Sequence, residues 1–187
     1  DTGGAPVPPT DPWFTGEDHL PFDPERSRQL LADAAVDHPE ITIAVPSLPY
    51  AQNISELVYS QLTDVGFEVN LTSVEFPAVW ITEVMTLQDY DMSIMAHVEP
   101  RDIPALFGNP DYYLGYDNES VRADLLAADT AADPVPDMER AVATIMSEAG
   151  ALTVFNQPNI VVSSPGVTGI NPTVVTDALA LAGMEKS

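Results

Sequence analysis

Apolar positions between residues 23 and 97 switch repeatedly between a helical period and strict alternation. A helix is expected over 23–35, with Asp23 as N-cap, Pro24 at the first helical position, and Leu30, Leu31 and Ala34 facing a core. Residues 41–45 alternate as a strand and stop at Pro46. A second helix after Pro49 carries Ile54, Leu57, Val58, Gln61 and Leu62, and Gly66 stands where a left-handed C-terminal cap is wanted. Residues 67–74 alternate through Phe67, Val69 and Leu71. Residues 77–87 form a third helix with Val79, Trp80, Val84 and Leu87, and 91–97 a strand with Met92, Ile94 and Ala96. This order predicts an α/β fold with parallel strand pairs and helices packed across the sheet.

The rhythm stops at residues 98–118, which hold three prolines, two glycines and three tyrosines. A connection this long inside a compact domain is usually functional. Helices are then expected over 119–129, with Val121, Leu125 and Leu126 apolar, and over 136–149, with Met138, Val142, Ile145 and Met146. Short strands at 152–155 and 160–162 are expected to return to the sheet, and 176–184 suits a short helix. Residues 1–22 are rich in Pro and Gly without periodicity, an extended lead-in pinned by Trp13 and Phe14. The expected division is therefore lead-in 1–22, lobe 23–165 and tail 166–187.

Composition narrows the function classes. A chain of 187 residues with 45% hydrophobic positions is large enough for one domain or one lobe with a real core. It holds 29 acidic and 6 basic residues, a net charge of −23, and such a surface repels nucleic-acid phosphates and anionic lipid. Nucleic-acid binding is set aside on that ground, and the acidity itself serves solubility. The absence of cysteine removes disulfides, thiolate metal sites and a cysteine nucleophile. No apolar run reaches the roughly 18–20 residues that span a bilayer, and no signal peptide stands at the start, which is Asp1 rather than Met.

No catalytic constellation emerges from the residue types. His19, His38 and His97 lack metal-binding spacing, and no nucleophile elbow, phosphate loop or calcium loop is present. The expected reading is a protein without enzyme activity, metal or cofactor. The better candidate is the segment from His97 through Glu99 and Arg101 to Asp102. It leaves the carboxyl end of an expected strand, where ligand crevices of open α/β sheets lie. Glu99 suits a ligand ammonium and Arg101 a carboxylate. Equally, Arg101 can neutralise Glu99, Asp102 or Asp111, and His97 can shape the loop. Tyr112, Tyr113 and Tyr116 are candidates for an aromatic wall, at least one of them core, and Trp80 is weighed between core and contact.

Several stretches, in order, resemble one known family. Asp23-Pro24-Glu25-Arg26 with Gln29-Leu30-Leu31-Ala32-Asp33-Ala34, the stretch from Tyr50 to Leu62 with Val65-Gly66, Asp89-Tyr90-Asp91-Met92, and Tyr116-Asp117-Asn118 before Leu125-Leu126 are similar to motifs of the family 5 extracellular solute-binding proteins of bacterial ABC importers. The resemblance covers roughly residues 20–165 and is to the C-terminal lobe alone. It implies a periplasmic-binding-protein type II-like lobe with a mixed sheet flanked by helices. It further implies a small-molecule ligand, peptide by expectation, with a sugar or metal chelate as the alternative. ABC permease subunits would be partners of a full-length, monomeric, extracytoplasmic and lipid-anchored protein, with the tail 166–187 running toward the other lobe. One departure concerns the cargo: Ala96-His97 stands where peptide-binding members carry Gly-Trp, and the loop before Glu99-Pro100 is shortened, without a certain counterpart for the aspartate that holds a peptide amino group. A carboxylate-based glycoside hydrolase and a surface interaction module are the rival classes.

Overall fold

The structure, a computed structural model, describes residues 5–36, 38–97, 102–158, 160–171 and 181–186. It contains two compact units. One is formed by residues 21–96 with 111–114, the other by the lead-in up to residue 20, 97–110 and 115 onward.

The first unit is built on a parallel sheet. Helix α1 (Pro24–Ala34) starts as expected, the Asp23 carboxylate accepting the Arg26 N–H at 2.8 Å, and ends with Ala35 in the left-handed region. It buries no residue. Leu30 is exposed, and the half-buried stripe is Pro24, Ser27 and Leu31, so only Leu31 of the three expected core residues turns inward. Strand β1 (Glu40–Pro46) lies between β2 (Glu68–Val74) and β3 (Met92–Ser93), giving the order β2-β1-β3. Both pairings are parallel, Ile43 standing opposite Leu71 on one side and Met92 on the other. A central strand covered on both faces reads as a continuous buried run, and residues 43–46 are all buried.

Helix α2 (Pro49–Val65) joins β1 to β2 and ends at Gly66 with φ 118°, a conformation open to glycine; its N–H returns to Leu62 and Thr63. The buried face is Ala51 and Ser55, flanked by half-buried Ile54, Val58, Leu62 and Val65. Leu57 is 57% exposed and Gln61 is also outside, which corrects the expected face. The small residues allow close approach to β1, and Ser55 satisfies its hydroxyl on Gln52 O at 2.8 Å. Ile43, Val45 and Ala51 form the core of this unit, with Ile41, Tyr50, Val58, Leu62, Val69, Leu71 and Ile94 packed around them.

The third helix is short. One turn, α3 (Ala78–Trp80), continues into a π-helical segment (Ile81–Thr86) whose hydrogen bonds span five residues, as from Leu87 N–H to Thr82 O at 2.9 Å. The wider turn keeps Trp80 and Val84 buried and carries Leu87 out to solvent, where an α-helix would have kept it on the same face. The strand expected over 91–97 makes a ladder only at β3. Before it, the Asp91 carboxylate accepts the Thr42 N–H at 2.7 Å, while the Asp91 N–H reaches Thr42 O at 3.0 Å.

The second unit is mainly helical. Helix α4 (Asp102–Phe107) lies inside the expected loop; Pro104 falls in its first turn, where proline is tolerated, and Ile103, Leu106 and Phe107 are buried. Helix α5 (Glu119–Thr130) is capped by Asn118, whose side chain accepts the Val121 N–H at 3.0 Å, and pairs with α6 (Val135–Ser147). Val121, Leu125 and Ala128 meet Met138, Ala141, Val142, Ile145 and Met146 as buried faces, whereas Leu126 is exposed. Arg140 clasps the hairpin by bridging Asp124, at 2.8 Å, and Asp137. A short antiparallel ladder joins β4 (Val167–Thr168) to β5 (Glu185–Lys186).

Among the described residues, 152–155 and 160–162 join no ladder, contrary to expectation, so the sheet is parallel throughout rather than mixed. A strand without a neighbour leaves its backbone groups to solvent, and Ile160 and Val162 are indeed exposed. Of the helix expected over 176–184, residues 176–180 lie outside the described residues and 181–184 are not helical. In the lead-in Ala5 and Val7 are buried, Thr153 Oγ1 donates to Ala5 O at 2.7 Å, and Trp13 and Phe14 are half-buried.

Candidate functional site

The carboxyl ends of parallel strands leave carbonyl groups and loop side chains facing a common edge, the usual place for a ligand on an open α/β sheet. At this edge Ser47 follows β1, its N–H bound to Val74 O at 2.8 Å and its hydroxyl accepting the Phe76 N–H at 3.2 Å. Gln52, in the first turns of α2, donates to Ser73 Oγ at 3.3 Å. The chain turns just past β2 so that the half-buried Phe76 ring rests on Trp80, 6.0 Å between centroids.

The run of rings continues within the same unit. Trp80 meets Tyr113 edge-on at 5.7 Å, and Tyr113 meets Tyr112 at 4.9 Å. Residues 111–114 are held here by two side chains: Tyr90 donates its hydroxyl to Tyr113 O, and Gln88 its amide to Tyr112 O at 3.0 Å. Trp80 is 3% exposed and Tyr113 6%, so both pack as core. The Trp80 indole N–H reaches Ser93 Oγ at 3.4 Å, and that hydroxyl donates to Ala44 O at 2.6 Å, tying the helix to β3 and β1. The half-buried rings at the two ends of the run, Phe76 and Tyr112, are the ones with surface to offer.

The remaining candidates stand in the second unit. His97 Nδ1 lies 3.4 Å from Asp102 Oδ2, the carboxylate that opens α4. Glu99 and Arg101, the two charges expected to hold a ligand, lie outside the described residues. Tyr116 is engaged elsewhere. Its ring packs edge-on to the buried Phe107 at 5.4 Å, and its hydroxyl donates to Glu148 Oε2 at 2.8 Å. Asn118 donates to both oxygens of the same carboxylate, at 2.9 and 2.8 Å. Gly150 leaves room for the ring, since a Cβ there would stand 2.7 Å from Tyr116 Cε2. Burial pushes the Tyr116 phenol up to about 12, helped by the hydrogen bond to Glu148 and that group's charge and opposed by Asn118.

Two residues of interest escaped the sequence reading. Phe76 carries a signal of its own, an aromatic directly past a strand's carboxyl end. Tyr50 packs on the core and binds both Met95 Sδ, at 3.4 Å, and the Ala96 N–H, at 3.0 Å; periodicity marks it only as the start of a helix. Among the described residues no group of three or more His, Asp or Glu is placed to hold a metal ion, and no helix is long and apolar enough to cross a membrane.

Neither a protein-family model nor a curated protein matches the chain. Solved structures do. The murein tripeptide binding protein of Escherichia coli matches 100% of the chain at 18% identity with a TM-score of 0.74. The oligopeptide-binding protein of Bacillus subtilis, solved with a nonapeptide, matches 100% at 15% identity with a TM-score of 0.73. The chain has a periplasmic-binding-protein type II lobe fold. A third structure, the PBP/SBP MoaA of A. tumefaciens R10 with mannopinic acid, matches 81% of it at 22% identity with a TM-score of 0.69. The lobe spans 40%, 42% and 34% of these three chains, so it corresponds to a part of each. Solute-binding proteins of this kind are the family whose motifs the sequence resembles, and the proteins matched are binding proteins rather than enzymes.

Proposed function

We propose that this lobe is the C-terminal part of a solute-binding protein that captures a peptide outside the cytoplasmic membrane and delivers it to an ABC permease. The observation that carries the reading is the fold match over the whole chain to two proteins named for binding peptides. The motif order from Asp23 to Leu126 points the same way. In this reading 1–22 is a lead-in, 23–165 the lobe and 166–187 a tail toward the other lobe, with a lipid anchor on the full-length protein. Solute bound between the lobes stabilises a closed form over an open one, and no residue is assigned a catalytic role. His97, Glu99, Arg101 and Asp102 are the proposed polar contacts, with Tyr112 and Phe76 as apolar ones. Trp80 and Tyr113 pack against those rings, and Tyr116 is held by Glu148.

A specific departure favours a second cargo, a smaller sugar-like solute. Ala96-His97 replaces the Gly-Trp of peptide binders, the following loop is short, and one matched structure holds mannopinic acid. Native mass spectrometry of the full-length protein as purified separates the two. A spread of added peptide masses is the expected result, and a single small polyhydroxy adduct selects the second cargo. Solute-free protein that gives no calorimetric heat with tripeptides or with sugar conjugates overturns the solute-binding reading.

A further inference from the structure

We infer that Ser47 is a positioning residue for Phe76 and, through that ring, sets a preference for solutes that carry an apolar side chain. The inference rests on the solute-binding reading above. Ser47 is the first residue past β1, and the sheet fixes its place: its N–H binds Val74 O at 2.8 Å, one step beyond the last β1–β2 pair, Pro46 opposite Val74. Its hydroxyl accepts the Phe76 N–H at 3.2 Å. The other polar group of the same peptide unit, Glu75 O, accepts the Trp80 N–H at 3.0 Å from α3. A peptide unit is planar, so tying its N–H to one element and its C=O to another restricts the direction in which the next side chain leaves. That side chain is the half-buried Phe76 ring, 6.0 Å between centroids from the buried Trp80. The ring thus packs on a core residue and keeps part of its surface for a solute. Such a contact favours an apolar group over a small or polar one in proportion to the apolar area it covers. Without the Ser47 hydroxyl the Phe76 N–H turns to water, and the ring loses one of the two ties that aim it.

Ser47→Ala removes the acceptor and keeps the backbone bond to Val74, and Ser47→Thr restores a hydroxyl. In the full-length protein, amide hydrogen exchange at Phe76 is expected to accelerate about fivefold in Ser47→Ala and to stay within about twofold of the parent in Ser47→Thr, with the amides of β1 and β2 unchanged in both. Unchanged exchange at Phe76 in Ser47→Ala overturns the inference, as does acceleration spread evenly over β1 and β2, which is what a general loosening of the sheet would produce. Equal acceleration in the two variants overturns it as well, since the hydroxyl is then not the cause. Calorimetry with Ala-Phe-Ala and trialanine reads the preference. The parent is expected to bind Ala-Phe-Ala roughly tenfold more tightly, a ratio that falls about threefold in Ser47→Ala and is kept in Ser47→Thr. In a Phe76→Ala background, where the ring is gone, adding Ser47→Ala is expected to leave the ratio unchanged. A ratio that Ser47→Ala leaves intact, or lowers equally with and without the ring, overturns the specificity half of the inference. Absence of binding of either tripeptide by the parent protein counts against peptide as cargo, while exchange at Phe76 still decides whether Ser47 holds that residue in place.

Discussion

Tyr116 illustrates how a residue's role depends on partners that its own sequence surroundings do not reveal. It stands in a cluster of tyrosines next to an expected ligand loop, which suggested an aromatic wall. In the structure its hydroxyl and Asn118 share the carboxylate of Glu148, 30 and more residues away. With 29 acidic residues in the chain, nothing in the sequence singles out that one. Trp80 and Tyr113 were partly legible, since helical spacing with Val84 marked Trp80 as a core candidate. The Asp23 cap was legible outright because all its determinants lie within three residues. The Tyr116 arrangement has a pH consequence. Its phenol holds its proton up to about 12 when folded, above the ordinary value near 10, so the folded state binds that proton more tightly. The resulting stability is fully present below pH 10 and is lost as pH rises through about 12. The difference in urea unfolding free energy between the parent and Tyr116→Phe is therefore expected to shrink from pH 10 to 12. A difference that stays constant over that range would sink the assignment.

Whole elements were more legible than the faces they bury. The starts of α1, α2 and α5 follow caps and prolines that act locally, and β2 follows its own alternation, whereas β1, expected to alternate, is buried continuously from Ile43 to Pro46. Faces were misjudged where apolar residues occur on both sides of a helix. In α2 the exposed Leu57 looked like core, while Ser55, polar by type, is buried because its hydroxyl is satisfied within the helix. The π-helical turn is invisible to a 3.6-residue pattern, and α4 was hidden by a proline that its first turn accommodates. Helix α1 gives the sharpest test at this scale. It buries no residue, so packing contributes little and its caps matter more. Replacing Asp23 with Ala removes the acceptor for the Arg26 N–H and is expected to cost about 1 kcal/mol locally. Exchange of the Arg26 amide should rise about fivefold, in line with that energy. An unaltered rate at Arg26 would show that the side-chain cap does not hold the helix.

At the scale of the whole molecule the order of helices and strands already implied parallel pairing, and β1 between β2 and β3 bears that out. The division of residues between two units was not legible, because it depends on 111–114 leaving their neighbours in sequence to pack with the sheet unit. Charge is the other property that belongs to the molecule and to no single site. Three of the cations are paired within the fold: Arg28 faces Glu25, Arg122 faces Asp117, and Arg140 bridges Asp124 and Asp137. The 29 acidic residues set against 6 basic ones leave a net charge of −23 spread over the surface, and such self-repulsion opposes the compact state. Salt shortens its reach to about 10 Å at 0.1 M and about 3 Å at 1 M. The folded form, which packs these charges closer together than the unfolded chain does, therefore gains from screening. Raising sodium chloride from about 10 mM to about 0.5 M is expected to lift the melting temperature by at least roughly 2–4 °C, the shift that about 1 kcal/mol produces in a chain of this size. Sodium sulfate, added to the same ionic strength, separates screening from exclusion of the salt from the protein surface. Equal shifts in the two salts are the expected outcome. Stabilisation by sulfate alone, or a melting temperature indifferent to chloride, would mean that the acidic surface does not strain the fold.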